Sequence, residues 1–174
     1  MFFVLVMDVK DFLARVEGSL VFKEWKQSHE SNFLAHVFVM LDGLKRESLV
    51  SGDCQVGFFD SVKGFMATFF VDGGNVRVVV DQEILKSDLG IFELDVGKIS
   101  VSVDSVLDCA CSVLCKDYAN AGVLRTFFIV QQLRGVPVFN ITFFTLNFKT
   151  VNVKVSAVDG SVVHHSSASV AEFG

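Results

Sequence analysis

Residues 55–80 read QVGFFDSVKGFMATFFVDGGNVRVVV, and this stretch decides the fold class. Gln55 to Phe59, Phe65 to Val71 and Val76 to Val80 are rich in Val and Phe, residue types that fit a pleated, half-buried surface. Between them lie Asp60-Ser61-Val62-Lys63-Gly64 and Asp72-Gly73-Gly74-Asn75, both too short for a helical crossover. Short turns containing Gly join antiparallel neighbours. The stretch reads as a meander of three antiparallel strands.

Towards the amino terminus, Phe33 to Leu41 is nearly continuous apolar sequence ending at Asp42-Gly43, the pattern of a strand buried on both faces. Leu44 to Asp53 reads as a charged, irregular connection. Ahead of the strand the period changes. Asp8 with Asp11 marks a helix start, with the second carboxylate near the positive helix end. Val9, Phe12, Leu13, Val16 and Leu20 follow at helical spacing. Gly18-Ser19 interrupts the element, and Ser19 caps a second short helix with Val21, Phe22 and Trp25 on the face turned to the sheet. The helical region ends near His29-Glu30-Ser31. The opening Met1 to Met7 is apolar but lacks the basic region and small-residue cleavage site of a signal peptide. It is expected to form a first strand or an arm packed on the core.

Towards the carboxyl terminus, Lys86 to Val101 is mixed in character, with Gly90 and Gly97. A helix returns, capped by Ser102 or Asp104, with Val106, Leu107, Ala110, Leu114 and Tyr118 on its buried face and Ala121-Gly122 as its stop. Strands are expected at Leu124 to Leu133, Val138 to Phe148 and Thr150 to Ala157, and a last one from Ser161. Val151, Val153 and Val155 alternate with Asn152, Lys154 and Ser156, so one face of that sheet is wet.

The two passes give one order: helix, long apolar strand, three-stranded meander. Phe58-Phe59-Asp60 through Phe65 to Gly73 lies in register with Phe143-Phe144 through Val151 to Val155 and Asp159-Gly160. The pattern reads as an internal duplication. The expected fold class is α+β, with two helix-plus-antiparallel-sheet units at 1–87 and 102–174, a linker at 88–101, and the whole packed as one globule.

Lys98-Ile99-Ser100-Val101-Ser102-Val103-Asp104 opening a helix, and Val153 to Val163 closing a hairpin with Asp159-Gly160 at its turn, resemble the PepSY domain. The likeness covers residues 98–165, and the first unit would be a diverged copy. It implies a helix packed across an antiparallel sheet, in a tandem PepSY-like or cystatin-like repeat. It also implies a non-catalytic binding or inhibitory module, and it supplies no functional residues.

Composition bounds the rest. The chain has 174 residues, 51% apolar, with 19 Phe, which excludes disorder. No apolar run approaches the roughly 20 residues of a spanning helix. Residues 1–100 carry 10 Lys+Arg against 15 Asp+Glu, and residues 101–174 carry 5 of each. No basic stripe tracks a phosphate backbone, so no nucleic-acid partner is expected. The abundance of Val, Phe, Gly, Asp and Cys matches codons rich in G and U, which weakens any argument from the cysteines alone.

Each candidate for chemistry has a plainer reading. On a helix Cys111 and Cys115 lie about 40° apart, whereas Cys109 lies about 160° from Cys111, so the three cannot converge on one ion. No second pair completes a tetrahedral site. His164-His165 are adjacent in a strand and point to opposite faces. His36 lies within an apolar strand and His29 at a helix end. Cys54 and His36 could form a nucleophile–base pair, but no spacing brings them together. Asn140-Ile141-Thr142 matches a glycosylation sequon inside a core strand. Gly73-Gly74 is a turn, with no phosphate-loop helix after it.

The reading is a non-catalytic binding or interaction protein, with an unidentified protein or peptide partner or a second copy of the chain. No catalytic, cofactor-binding or metal-binding residue is assigned, and no cofactor or membrane span is expected. A cytoplasmic location is expected. One rival is an enzyme assembled from Cys54, His36, Asp60 and Asp81; another is a carrier of small hydrophobic ligands. Val138 to Phe148 is apolar on two sides, with Phe139, Ile141 and Phe143 on one and Val138, Phe144 and Leu146 on the other. One helix covers one side only, so the first unit is expected to shield the remainder, through sheet pairing or face packing within the chain, with a second copy of the protein as the next candidate. Residues 98–174 alone should then aggregate or stay partly unfolded.

Overall fold

A computed structural model describes residues 6–81, 90–119 and 121–170. Local signals near the amino terminus act as their chemistry dictates. Asp8 adopts an extended conformation ahead of α1 (Val9–Glu17), and the Asp11 carboxylate accepts a 2.8 Å hydrogen bond from the Asp8 N–H. Val9, Phe12 and Val16 form its buried stripe. The Ser19 hydroxyl then accepts from the Phe22 N–H at 3.2 Å and starts α2 (Leu20–Lys26), so the chain breaks at Gly18-Ser19 as expected.

β1 (Asn32–Asp42) follows, then α3 (Glu47–Ser51), and a meander of β2 (Cys54–Asp60), β3 (Phe65–Asp72) and β4 (Asn75–Asp81). Between β3 and β4, Gly73 and Gly74 both take positive φ, 54° and 84°, the geometry of a two-residue hairpin that residues with a Cβ resist. After a short 3-10 turn at Val96–Lys98 comes α4 (Val103–Asp117), whose first turn is capped by the Ser102 hydroxyl. The second meander is β5 (Val123–Leu133), β6 (Val136–Thr145), β7 (Lys149–Ser156) and β8 (Val162–Ser169).

The strands make one eight-stranded sheet in the order β4-β3-β2-β1-β5-β6-β7-β8, every neighbour antiparallel. The architecture is α+β, with helices interspersed in sequence and two successive helix-plus-sheet stretches. β1 and β5 meet at the centre, with Val37 opposite Val130 and Val39 opposite Phe128. Strand residues alternate between faces, and the helices lie on one of them. Phe22 and Trp25 of α2 pack tilted or edge-on against Phe58 and Phe69, and α1 and α4 join the same core as Val37, Val56, Phe128, Phe139, Ile141 and Val153.

Further bonds tie the two stretches. The Asp8 carboxylate before α1 accepts from the Val103 N–H at the start of α4, at 2.8 Å. Arg46, just ahead of α3, forms ion pairs with Asp104 and Asp108 on α4. The Leu94 N–H donates to the Leu34 carbonyl at 2.8 Å.

Several expectations need correction. β1 is buried on one face, not both: Val37, Val39 and Leu41 face the helices, while Met40 on the other side is 51% exposed. Helices cover only one face of the sheet, so an apolar run does not imply double burial. The connection 44–53 contains α3, a five-residue helix closed by Gly52 at φ 77°. β6 stops at Thr145, because Leu146 to Phe148 form the turn and Phe148 takes φ 56°. α4 ends at Asp117, with Tyr118 as its cap, before Ala121-Gly122. Of sheet pairing and face packing, the first stretch uses sheet pairing: β1 lies beside β5 and extends the sheet, and no described helix covers the other face. Of the opening arm, residues 1–5 lie outside the described residues. Val6 and Met7 pack on the core without forming a strand, and the Met7 N–H donates to the Leu49 carbonyl. The expected linker likewise begins outside the described residues, at 86–89.

Candidate functional site

Opposite the helices, alternate strand residues form a broad open face. Its centre is aromatic. Phe33 of β1 meets Phe59 of β2 edge-on at 5.5 Å, and Phe38 of β1 lies 5.9 Å from Phe127 of β5. All four rings are half-buried. Towards β7 the surface turns polar: the Asn152 amide donates to Asn140 Oδ1 at 2.5 Å and to Thr142 Oγ1 at 3.0 Å. Asn140 of the sequon thus lies on this face, not in the helix-side core.

At one end of the face is a hollow of about 380 Å³ floored by Phe38, Met40, Gln55 and Phe70. Its rim mixes charges. Arg125 pairs with Asp42 at 3.4 Å, the Arg77 guanidinium sits 4.0 Å over the Phe70 ring, and Asp53 accepts from the Gly73 N–H at 3.0 Å. The rim thus carries both signs of charge, and its arginines are engaged by Asp42 and the Phe70 ring.

His36 stands in the middle of this face, opposite Gly57 in β2 and Gln131 in β5. Its ring lies over Gly57: a Cβ there would come within 2.2 Å of Cε1, 2.6 Å of Nε2 and 2.7 Å of Nδ1. Burial holds its pKa below the ordinary 6.5.

The residues of the enzyme reading do not converge. Cys54 is on the helix-covered face and His36 on the open face, so the sheet itself separates them. Burial pushes the Cys54 thiol up to about 12, which leaves it protonated near neutral pH. Asp60, fully buried at the end of β2, accepts from the Val62 and Lys63 N–H groups at 3.0 and 2.8 Å and closes the β2–β3 turn. The side chain of Asp81 lies outside the described residues.

The helix cysteines diverge. The Cys109 thiol points to the Gly160 carbonyl at 3.8 Å, whereas Cys111 lines a crevice with Arg46 and Leu107, and Cys115 is exposed. Burial raises the Cys111 pKa. Among the described residues no group of three or more His, Cys, Asp or Glu could hold a metal ion. His29 stacks on Trp25 at 4.5 Å and its Nδ1 lies 2.6 Å from the Trp25 carbonyl, joining helix end to core.

One grouping is not legible in the sequence. Tyr118 Oη and His165 Nδ1 are 2.8 Å apart, and His165 Nε2 is 3.6 Å from the Asp117 carboxylate. These contacts fasten the end of α4 to edge strand β8. His164, adjacent in β8, points the other way and lies opposite Lys154. Only the strand parity of position 165 hinted at a helix-side location.

No family model matches the chain, and no curated protein matches it. Among solved structures, it is similar to a candidate lipoprotein of Clostridium difficile 630, at 12% identity and a TM-score of 0.54, over 84% of this chain and 89% of that one. At that identity the likeness shows a shared fold and nothing further.

Proposed function

We propose that this protein is a non-catalytic interaction module that docks a protein or peptide partner on the open face of its sheet. The observation that carries the reading is the aromatic centre of that face, Phe33, Phe38, Phe59 and Phe127, left uncovered by the helices. Half-buried aromatic pairs flanked by polar groups are what protein interfaces bury further. The PepSY-like pattern of residues 98–165 points to the same class, a tandem binding or inhibitory module.

The carrier reading has less support. The crevice between α4 and the sheet holds about 10 Å³, room for one water at most. The enzyme reading has its residues on opposite faces. A photocrosslinking residue placed at Phe127, compared with one at Lys23 on α2, tests the proposal. Position 127 should yield a discrete adduct with one polypeptide, reproduced with that polypeptide purified. Adducts from position 23 alone, or a heterogeneous smear from both, would overturn it; an adduct between two copies of the chain would make the partner a second protomer.

A further inference from the structure

We propose that His36 makes the open face acid-sensitive: the neutral ring seats on Gly57, and protonation drives it out of that seat and places a cation among the central aromatics. The consequence for docking rests on the reading above; the change in the face itself does not.

The seat is built by three features of the fold. The register of β1 against β2 shifts between Leu34 and His36, which puts His36 directly opposite Gly57. Gly57 has no side chain, and three ring atoms of His36 occupy the space a Cβ would take. Thr68, beyond Gly57 in the same row, is only 9% exposed although it belongs to the open face.

Among the described residues, no carboxylate stands beside the ring in the paired strands. The open-face residues brought alongside by β1, β2 and β5 are Phe38, Gln55, Phe59, Ile129 and Gln131, none of them titratable. Charged side chains described on the same face stand farther off: Arg77 in β4 and Lys154 in β7, each three strands from β1, about 14 Å at the usual spacing, and the Asp42–Arg125 ion pair, about 20 Å along β1 at the usual rise. Burial alone lowers the ring's affinity for a proton. Protonation in this seat therefore carries a desolvation penalty that the ring escapes by swinging towards water.

The test is an NMR titration of the full chain from pH 8 to 5. The amide signals of Gly57 and Thr68 should move together in one transition centred below 6.5, following the His36 ring signal. His36→Gln should abolish the transition. Gly57→Ala, which expels the ring at every pH, should show the acid-like pattern around Thr68 already at pH 8. His36→Gln decides the matter if Gly57→Ala does not fold. The proposal is overturned if the His36 ring titrates while Gly57 and Thr68 stay still, or if their transition persists in His36→Gln. No partner is needed, so failure here leaves the docking proposal standing, and failure of the crosslinking leaves this result intact.

Discussion

The two faces of the sheet are made from alternate residues of the same strands, and they differ in how they are held. On the helix side, Phe69, Phe128, Phe139 and Phe143 are fully buried under α1, α2 and α4. On the open side, Phe38 and Phe127 are neighbours across the β1–β5 pairing and are half-buried, with no described helix over them. Both faces are rich in Phe, so composition does not say which one is core. Burial follows the helices, and the apolar content that folding leaves exposed is what an interaction can use.

The largest expected effect contrasts neighbours in β5. Phe128→Ala should destabilise the chain by about 3–5 kcal/mol, the cost of emptying a packed core site. Phe127→Ala, one residue away, removes a cross-strand pair worth about 0.2–1 kcal/mol. Urea denaturation of both variants reads the difference directly. Equal losses would mean that the open face is a second core.

Gly57→Ala should cost about 1–3 kcal/mol, as overpacking does, although it adds one methyl group to the open face. The loss should shrink when His36 is also replaced by Ser, because the clash is with that ring. Additive losses would remove His36 from the account. This is the place where the open face behaves like a core.

Arg46→Met probes the helix layer. Its pairs with Asp104 and Asp108 join the two stretches but are open to solvent, so the loss should be about 1 kcal/mol and should diminish in high salt. A salt-independent loss would point to packing by the arginine stem instead.

The smallest effect is a pH dependence. Burial holds His36 below 6.5 in the folded chain, while the unfolded chain titrates near 6.5. Between those values the unfolded chain binds more protons. Stability from this group is therefore fully present above 6.5, falls as pH drops through that window, and levels off beneath the folded value. Denaturation midpoints of wild type minus those of His36→Gln should trace that fall; a constant difference from pH 8 to 5 would contradict it.

Much of the fold was legible because it rests on local chemistry. Asp8, Ser19 and Ser102 announce helix starts, Gly73-Gly74 announces a hairpin, and Val151, Val153 and Val155 announce a buried face. The pairing of β1 with β5 was not legible, since two apolar edges carry no label naming each other. Nor was the His36 seat: a one-residue register shift decides which residue lies opposite Gly57, and no local signal marks it. The contacts of Arg46 and His165 likewise span 58 and 47 residues. Short α3 escaped notice because five residues are too few to show a period.

The central claim is that the protein acts through the open face. Hydroxyl-radical footprinting, with and without the polypeptide captured at position 127, tests it most directly. Met40 on the open face is 51% exposed and Leu20 on α2 is 70% exposed, so both react in the free chain. The account predicts that the partner protects Met40 and Phe127 and leaves Leu20 unchanged. Protection of Leu20 with Met40 still fully reactive would contradict it.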